Sequence, residues 1–144
     1  MQPITNDALK AYFKEEVLGI KRTSFNMASA AGYASGEANY EKDDTTNFKI
    51  TINDCAGEGG SALYSLSALS EMKIETENEN GYEKTIDFMG TKALKSFQKN
   101  QSKYQVGFMM AKRFYVNAEG TNMSFENLEA FIKATGIEGL SNEK

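Results

Sequence analysis

Residues 103–137, KYQVGFMMAKRFYVNAEGTNMSFENLEAFIKATGI, decide the fold. Tyr104, Val106 and Phe108 alternate with Gln105 and Gly107, so they line one face of a strand. Phe114, Val116 and Ala118 line one face of the next strand, and Met110, Ala111 and Lys112 make the connection. A turn over Glu119-Gly120-Thr121-Asn122 leads to Ser124, whose hydroxyl suits an N-cap. Met123 and Leu128 are placed for a hydrophobic staple. Phe125, Leu128, Ile132 and Thr135 recur at helical spacing with Phe131 beside them, predicting a C-terminal helix over 124–135 that Gly136-Ile137 ends. A strand pair followed by a helix with one apolar face predicts an α+β domain, the helix covering a sheet.

Outward from this stretch the pattern is mainly β. Asn80-Gly81 predicts a hairpin turn within 73–88, because a type I′ turn needs positive φ at both central residues. Folding there sets Glu77 opposite Lys84, with Ile86 and Phe88 sharing a face of the return strand. Gly90 turns the chain into 91–99, which suits a strand or a short helix equally. Phe48, Ile50 and Ile52 alternate with Lys49, Thr51 and Asn53, and a polar turn over 42–47 pairs this strand with 37–41. Residues 20–29 read as extended and 30–36, small and flexible, as a turn or bulge. Between the two β regions, Ser61, Ala62, Leu66 and Leu69 suggest a helix near 61–72. At the start, Leu9, Tyr12, Phe13 and Val17 fall on one helical face, predicting an N-terminal helix over 6–18 capped by Asn6 and ended by Gly19-Ile20. Residues 141–144, SNEK, are expected to be a loose tail. The expected whole is one domain over 1–144: a mostly antiparallel sheet over 20–118, built from hairpins, with the terminal helices packed on it.

Composition narrows the chemistry. The chain has 144 residues, one proline, one cysteine, no histidine and a formal charge of −4. Without histidine, Ser-His-Asp and Cys-His catalysis and His-based metal sites are excluded. Cys55 alone can form neither a multi-thiolate zinc site nor an internal disulfide, and in its apolar strand it reads as a small buried residue. The scattered lysines do not make the basic patch that nucleic-acid binding needs. No apolar run approaches the ~20 residues of a transmembrane helix, and no leader pattern follows Met1. No cofactor is implied.

The remaining motifs each have a structural explanation of greater weight. Ala56-Gly57-Glu58-Gly59-Gly60-Ser61 resembles a phosphate cradle but lacks the Lys-Ser/Thr pair, and Glu58 would repel phosphate. Glu75, Glu77 and Glu79 would share one strand face, as a charged edge strand does. Asp43, Asp44 and Asp54 are carboxylates available to acid–base chemistry, though turns favour Asp for local hydrogen bonding. Arg113 lies beside an aromatic hairpin and Arg22 near a strand start; each would sit in a strand-end salt bridge. Met109, Met110, Arg113 and Tyr115 are the candidate ligand- or partner-binding residues, expected on the less apolar side of the final hairpin.

SGEANYE from 35 and FKITINDCAG from 48, GYEKTIDFMGTKAL from 81, and VGFMMAKRFYVNAEGTNMSFENLEAFIKATGIEGL from 106 carry a resemblance. Together they resemble a group of uncharacterised bacterial exported proteins and lipoproteins. The layout is also similar to the PsbP-like α/β sandwich. The resemblance implies an extracytoplasmic location, periplasmic or lipid-anchored at the envelope, and brings no catalytic residue. The expected function is a non-catalytic binding or interaction domain for an envelope protein or other envelope component. The alternatives are a carrier of a small apolar ligand and a small carboxylate-dependent hydrolase.

Overall fold

The computed structural model describes residues 3–30, 33–54, 73–111 and 113–143. Among them the chain forms α1 (Asn6–Lys10), then β1 (Glu16–Val17), β2 (Ile20–Ala30), β3 (Tyr33–Glu41) and β4 (Asn47–Asp54). After the next described residues begin come β5 (Glu75–Asn78), β6 (Gly81–Phe88), β7 (Thr91–Gln98), β8 (Lys103–Met110), β9 (Phe114–Thr121) and α2 (Phe125–Ala134). Short 3-10 turns occupy Lys99–Gln101 and Ile137–Asn142.

The strands form one antiparallel sheet in the order β1-β2-β3-β4-β9-β8-β7-β6-β5. Two meanders therefore meet at a seam. One runs inward from β1 to β4, the other inward from β5 to β9, and β4 pairs with β9 from Asn47↔Thr121 to Asp54↔Phe114. Every second residue along the central strands faces the helices: Ala38 and Tyr40, Phe48, Ile50 and Ile52, Phe114, Val116 and Ala118, Val106 and Phe108. These are buried, and Leu128, Phe131 and Ile132 of α2 close over them. The Phe131 ring lies 4.2 Å from Phe48 and 5.8 Å from Tyr40, centroid to centroid. Ser124 caps α2 by accepting from the Asn127 N–H at 3.1 Å, and the helix ends at Gly136 with φ +78°.

The sheet is longer, and the helices shorter, than the periodicity suggests. The N-terminal helix expected over 6–18 stops at Lys10 and is capped by Thr5, not Asn6. Beyond it the carbonyls that a longer helix would use bond to the sheet. Phe13 O accepts from the Arg22 guanidinium, Lys14 O from the Tyr40 hydroxyl at 2.6 Å, and Glu15 O from the Arg22 N–H at 2.8 Å. Glu16–Val17 is a strand, and Leu18-Gly19, with φ +51° and +81°, is its hairpin turn. Gly19-Ile20 therefore does not end a helix.

In the second meander, Asn78 pairs with Gly81, so Glu79-Asn80 is the loop and Lys84 faces Glu75, with Glu77 opposite Tyr82. Gly81 serves close approach: a Cβ there would lie 1.8 Å from the Phe97 carbonyl oxygen. Residues 91–98 are a strand, which resolves the alternative left open by the sequence. Residues 33–36, expected within a turn or bulge, belong to β3. The tail is not loose through 143: a 3-10 turn buries Leu140, and the Tyr12 hydroxyl donates to Glu143 at 2.8 Å. Cys55, the glycine-rich loop and the helix expected near 61–72 lie outside the described residues.

Candidate functional site

A strip of half-buried aromatic rings crosses the helix side of the sheet and ends at the first turn of α2. Tyr82 of β6 pairs with Phe97 of β7, which pairs with Tyr104 of β8. Cross-strand partners point to the same face, so the rings stand side by side, 6.0 Å and 4.5 Å apart. Phe125, in the first turn of α2, continues the line at 5.6 Å from Tyr104 and also touches the buried Phe88. All four rings are half-buried, exposed enough to be touched and anchored at one end by the core.

The next row on this face is Lys84, Lys95 and Val106. Two lysines directly opposite one another repel. The rings offset that cost. Lys95 Nζ lies 4.0 Å from the Phe125 centroid, 5.3 Å from Tyr104 and 5.7 Å from Tyr82, and Lys84 Nζ lies 5.8 Å from Tyr82. Burial pushes the Tyr104 hydroxyl up, helped by its neighbour Tyr82, while Lys95 pulls it down. The strip therefore offers apolar ring faces and ring-held ammonium groups, a surface for stacking and cation–π contact.

The four residues singled out in the sequence do not converge. Met110 is buried on the helix side. Arg113 is buried too, its Nε donating to Asp54 Oδ1 at 2.9 Å and its Nη2 to Oδ2 at 2.8 Å. Arg113 is thus held by a salt bridge at a strand end, and hydrogen bonding to Asp54 raises its pKa further. Asp54 also accepts from the Ile4 N–H. Met109 and Tyr115 pair across the opposite face of the sheet, where the Tyr115 ring lies over Gly107 beside Gln105 and Asn117. A shallow depression of about 170 Å³ there is lined mainly by polar side chains, with Leu94 among them.

Among the carboxylates, Glu75, Glu77 and Glu83 share one open depression of about 300 Å³ with Tyr82 and Lys84, and the aspartates lie elsewhere. Asp43 accepts from the Thr45 and Thr46 N–H groups in an exposed turn, which lowers its pKa. Asp44, Glu75, Glu77 and Glu79 are exposed, and Asp54 is ion-paired. Among the described residues no group of acidic or thiol side chains could hold a metal ion. No helix among them is long and apolar enough to cross a membrane.

The sequence does not bring Lys95 and Phe97 to this face, because 91–99 suits a strand or a helix equally; Phe125 reads as part of the helix stripe, and nothing local joins Tyr82 to it. As a helix, that segment would send Lys95 and Phe97 to different sides; as a strand, it puts them on the face of Tyr104. No family model, curated protein or solved structure matches the chain.

Proposed function

We propose that the protein is a non-catalytic binding domain that works at the bacterial envelope, and that the Tyr82–Phe97–Tyr104–Phe125 strip is the surface it binds with. The observation that carries this reading is the line of four half-buried rings at successive spacings of 6.0, 4.5 and 5.6 Å. Ring faces held rigid by neighbouring strands give contact area at low entropic cost. The envelope location rests on the resemblance of 37–54 and 81–140 to exported proteins and lipoproteins, as does the analogy to a PsbP-like layer of sheet and helices.

The alternatives draw less support. A carrier of an apolar ligand needs a hollow between sheet and helices, and there the rings of Tyr40, Phe48 and Phe131 pack against one another. A carboxylate hydrolase needs two buried carboxylates facing one cleft; Glu75, Glu77 and Glu83 share one open depression but are exposed, Asp43 and Asp44 are exposed in a turn, and Asp54 is tied to Arg113.

The test is capture from envelope and cytosolic extracts by the immobilised parent, Tyr82→Ala and Phe97→Ala proteins. Capture of an envelope component by the parent, lost in both folded variants, supports the proposal. Undiminished capture by both variants overturns the surface, and capture from cytosol alone overturns the location.

A further inference from the structure

The Lys95 ammonium rests against three rings, those of Phe125, Tyr104 and Tyr82, at 4.0, 5.3 and 5.7 Å from their centroids. Among the described residues it has no carboxylate within ion-pair distance; the salt bridges there belong to other lysines and to Arg113. Three aromatic faces turned on one cation form the arrangement that recognises quaternary ammonium groups. Its parts come from three different elements, β6, β8 and α2, and the cation comes from a fourth, β7. Two of the three walls are anchored and the occupant is not. Phe125 and Tyr104 pack against the core, whereas Lys95 is a long, half-exposed side chain with rotatable bonds that can swing to solvent.

We propose that Tyr82, Tyr104 and Phe125 form an aromatic cage for a small organic ammonium, a trimethylammonium group of the choline type, and that Lys95 is its internal stand-in. The proposal rests on the strip being the binding surface and names the class of ligand that surface takes. Lys95 fills the cage in the free protein, satisfying the ring faces. A ligand cation must displace it, so the parent's affinity is that of the cage less the cost of expelling Lys95. Lys84, directly opposite Lys95 on β6, lies 5.8 Å from the Tyr82 ring and repels either occupant, so the exchange of Lys95 for the ligand leaves its contribution nearly unchanged. A fully methylated ammonium suits the exchange because it is weakly hydrated and cannot hydrogen-bond, so it loses little on leaving water for the rings.

The test is NMR titration of the tyrosine and phenylalanine ring protons with choline and tetramethylammonium, on the parent, Lys95→Ser and Lys95→Ala proteins. The expected result is binding about tenfold tighter in the two variants than in the parent, the scale of one displaced cation–π contact. Adding Tyr104→Leu to Lys95→Ser should abolish it, and a neutral tert-butyl isostere of choline should not bind. Variants that fold yet bind choline no better than the parent, or bind the neutral isostere equally well, overturn the proposal.

The parent supplies an independent reading. Its Lys95 methylene protons, shifted upfield by the rings, should return toward solvent values as choline saturates; protons that stay in place overturn the proposal even if both variants unfold. Phosphatidylcholine and phosphatidylglycerol vesicles separate the sources: binding to the former alone, competed by choline, assigns a lipid headgroup, and choline binding without vesicle binding assigns a soluble ammonium. Envelope capture lost in Phe97→Ala, with no choline binding in Lys95→Ser, overturns the cage and leaves the binding surface standing.

Discussion

Asp54 ends β4 with a buried carboxylate, and both of its oxygens are held by the Arg113 guanidinium. A buried ion pair draws little net stability from its own attraction, because both charges have left water. Removing one partner is another matter, since the remaining charge keeps its desolvation cost. Arg113→Met is therefore expected to cost about 3–5 kcal/mol in urea unfolding, and Asp54→Leu combined with it to recover part of the loss. A loss below ~1 kcal/mol in the single variant would mean that water reaches the carboxylate. The type of contact was legible in the sequence, since an arginine at a strand end beside aromatics commonly meets a carboxylate. The partner was not. Asp54 lies 59 positions away and meets Arg113 only because β4 and β9 form the seam. Met110 marks another limit: it continues the alternation of Val106 and Phe108 onto the buried face, but the sequence does not show whether the strand or the connection holds it.

At the scale of elements, the apolar spacing of Leu9, Tyr12, Phe13 and Val17 fits a helix, yet only the first turns are helical. All four residues are buried as expected; the backbone between them is not helical because Arg22 and Tyr40 take its carbonyls. Periodicity reports burial, and burial at that spacing can also be met by a turn followed by a strand. Leu18 is the residue that reveals the difference. It has φ +51° at the first position of a two-residue hairpin turn and is 60 % exposed. A branched apolar side chain gains nothing there and opposes the left-handed backbone, whereas asparagine accepts it. Leu18→Asn is expected to raise stability by about 1 kcal/mol, read as a higher urea midpoint at unchanged slope. A helix running through 18 would make the same substitution neutral or destabilising. By contrast, 124–135 was legible almost in full, because its cap, staple, stripe and glycine ending are all local signals.

At the scale of the molecule, the two chain ends are clasped. Tyr12, just after α1, donates its hydroxyl to Glu143, beyond the last 3-10 turn, and Lys14 Nζ donates to Ala134 O at 3.0 Å. Burial first, and the Glu143 carboxylate second, push the Tyr12 pKa from the ordinary 10.0 to about 12. The folded protein then keeps a proton that the unfolded chain releases. The clasp's contribution is whole below pH ~10 and falls as pH rises through ~12. Tyr12→Phe should therefore narrow its stability gap to the parent across that interval, as followed by urea midpoints; a gap independent of pH would deny the shift. This contact joins residues 131 positions apart, and no local pattern could have announced it.

The seam between the meanders has a consequence for the chain as it is made. Strands β1 to β4 can pair in order as they emerge, but the open side of β4 receives its partner only when β9, the last strand described, has been synthesised. Until then the most apolar strand of the first meander, with Phe48, Ile50 and Ile52, presents unpaired backbone to its surroundings. Pairing of such long sequence separation is slow. The nascent chain thus carries an exposed edge while the residues between Asp54 and Phe114 are being made, and on the ribosome that strand is the natural address for a chaperone.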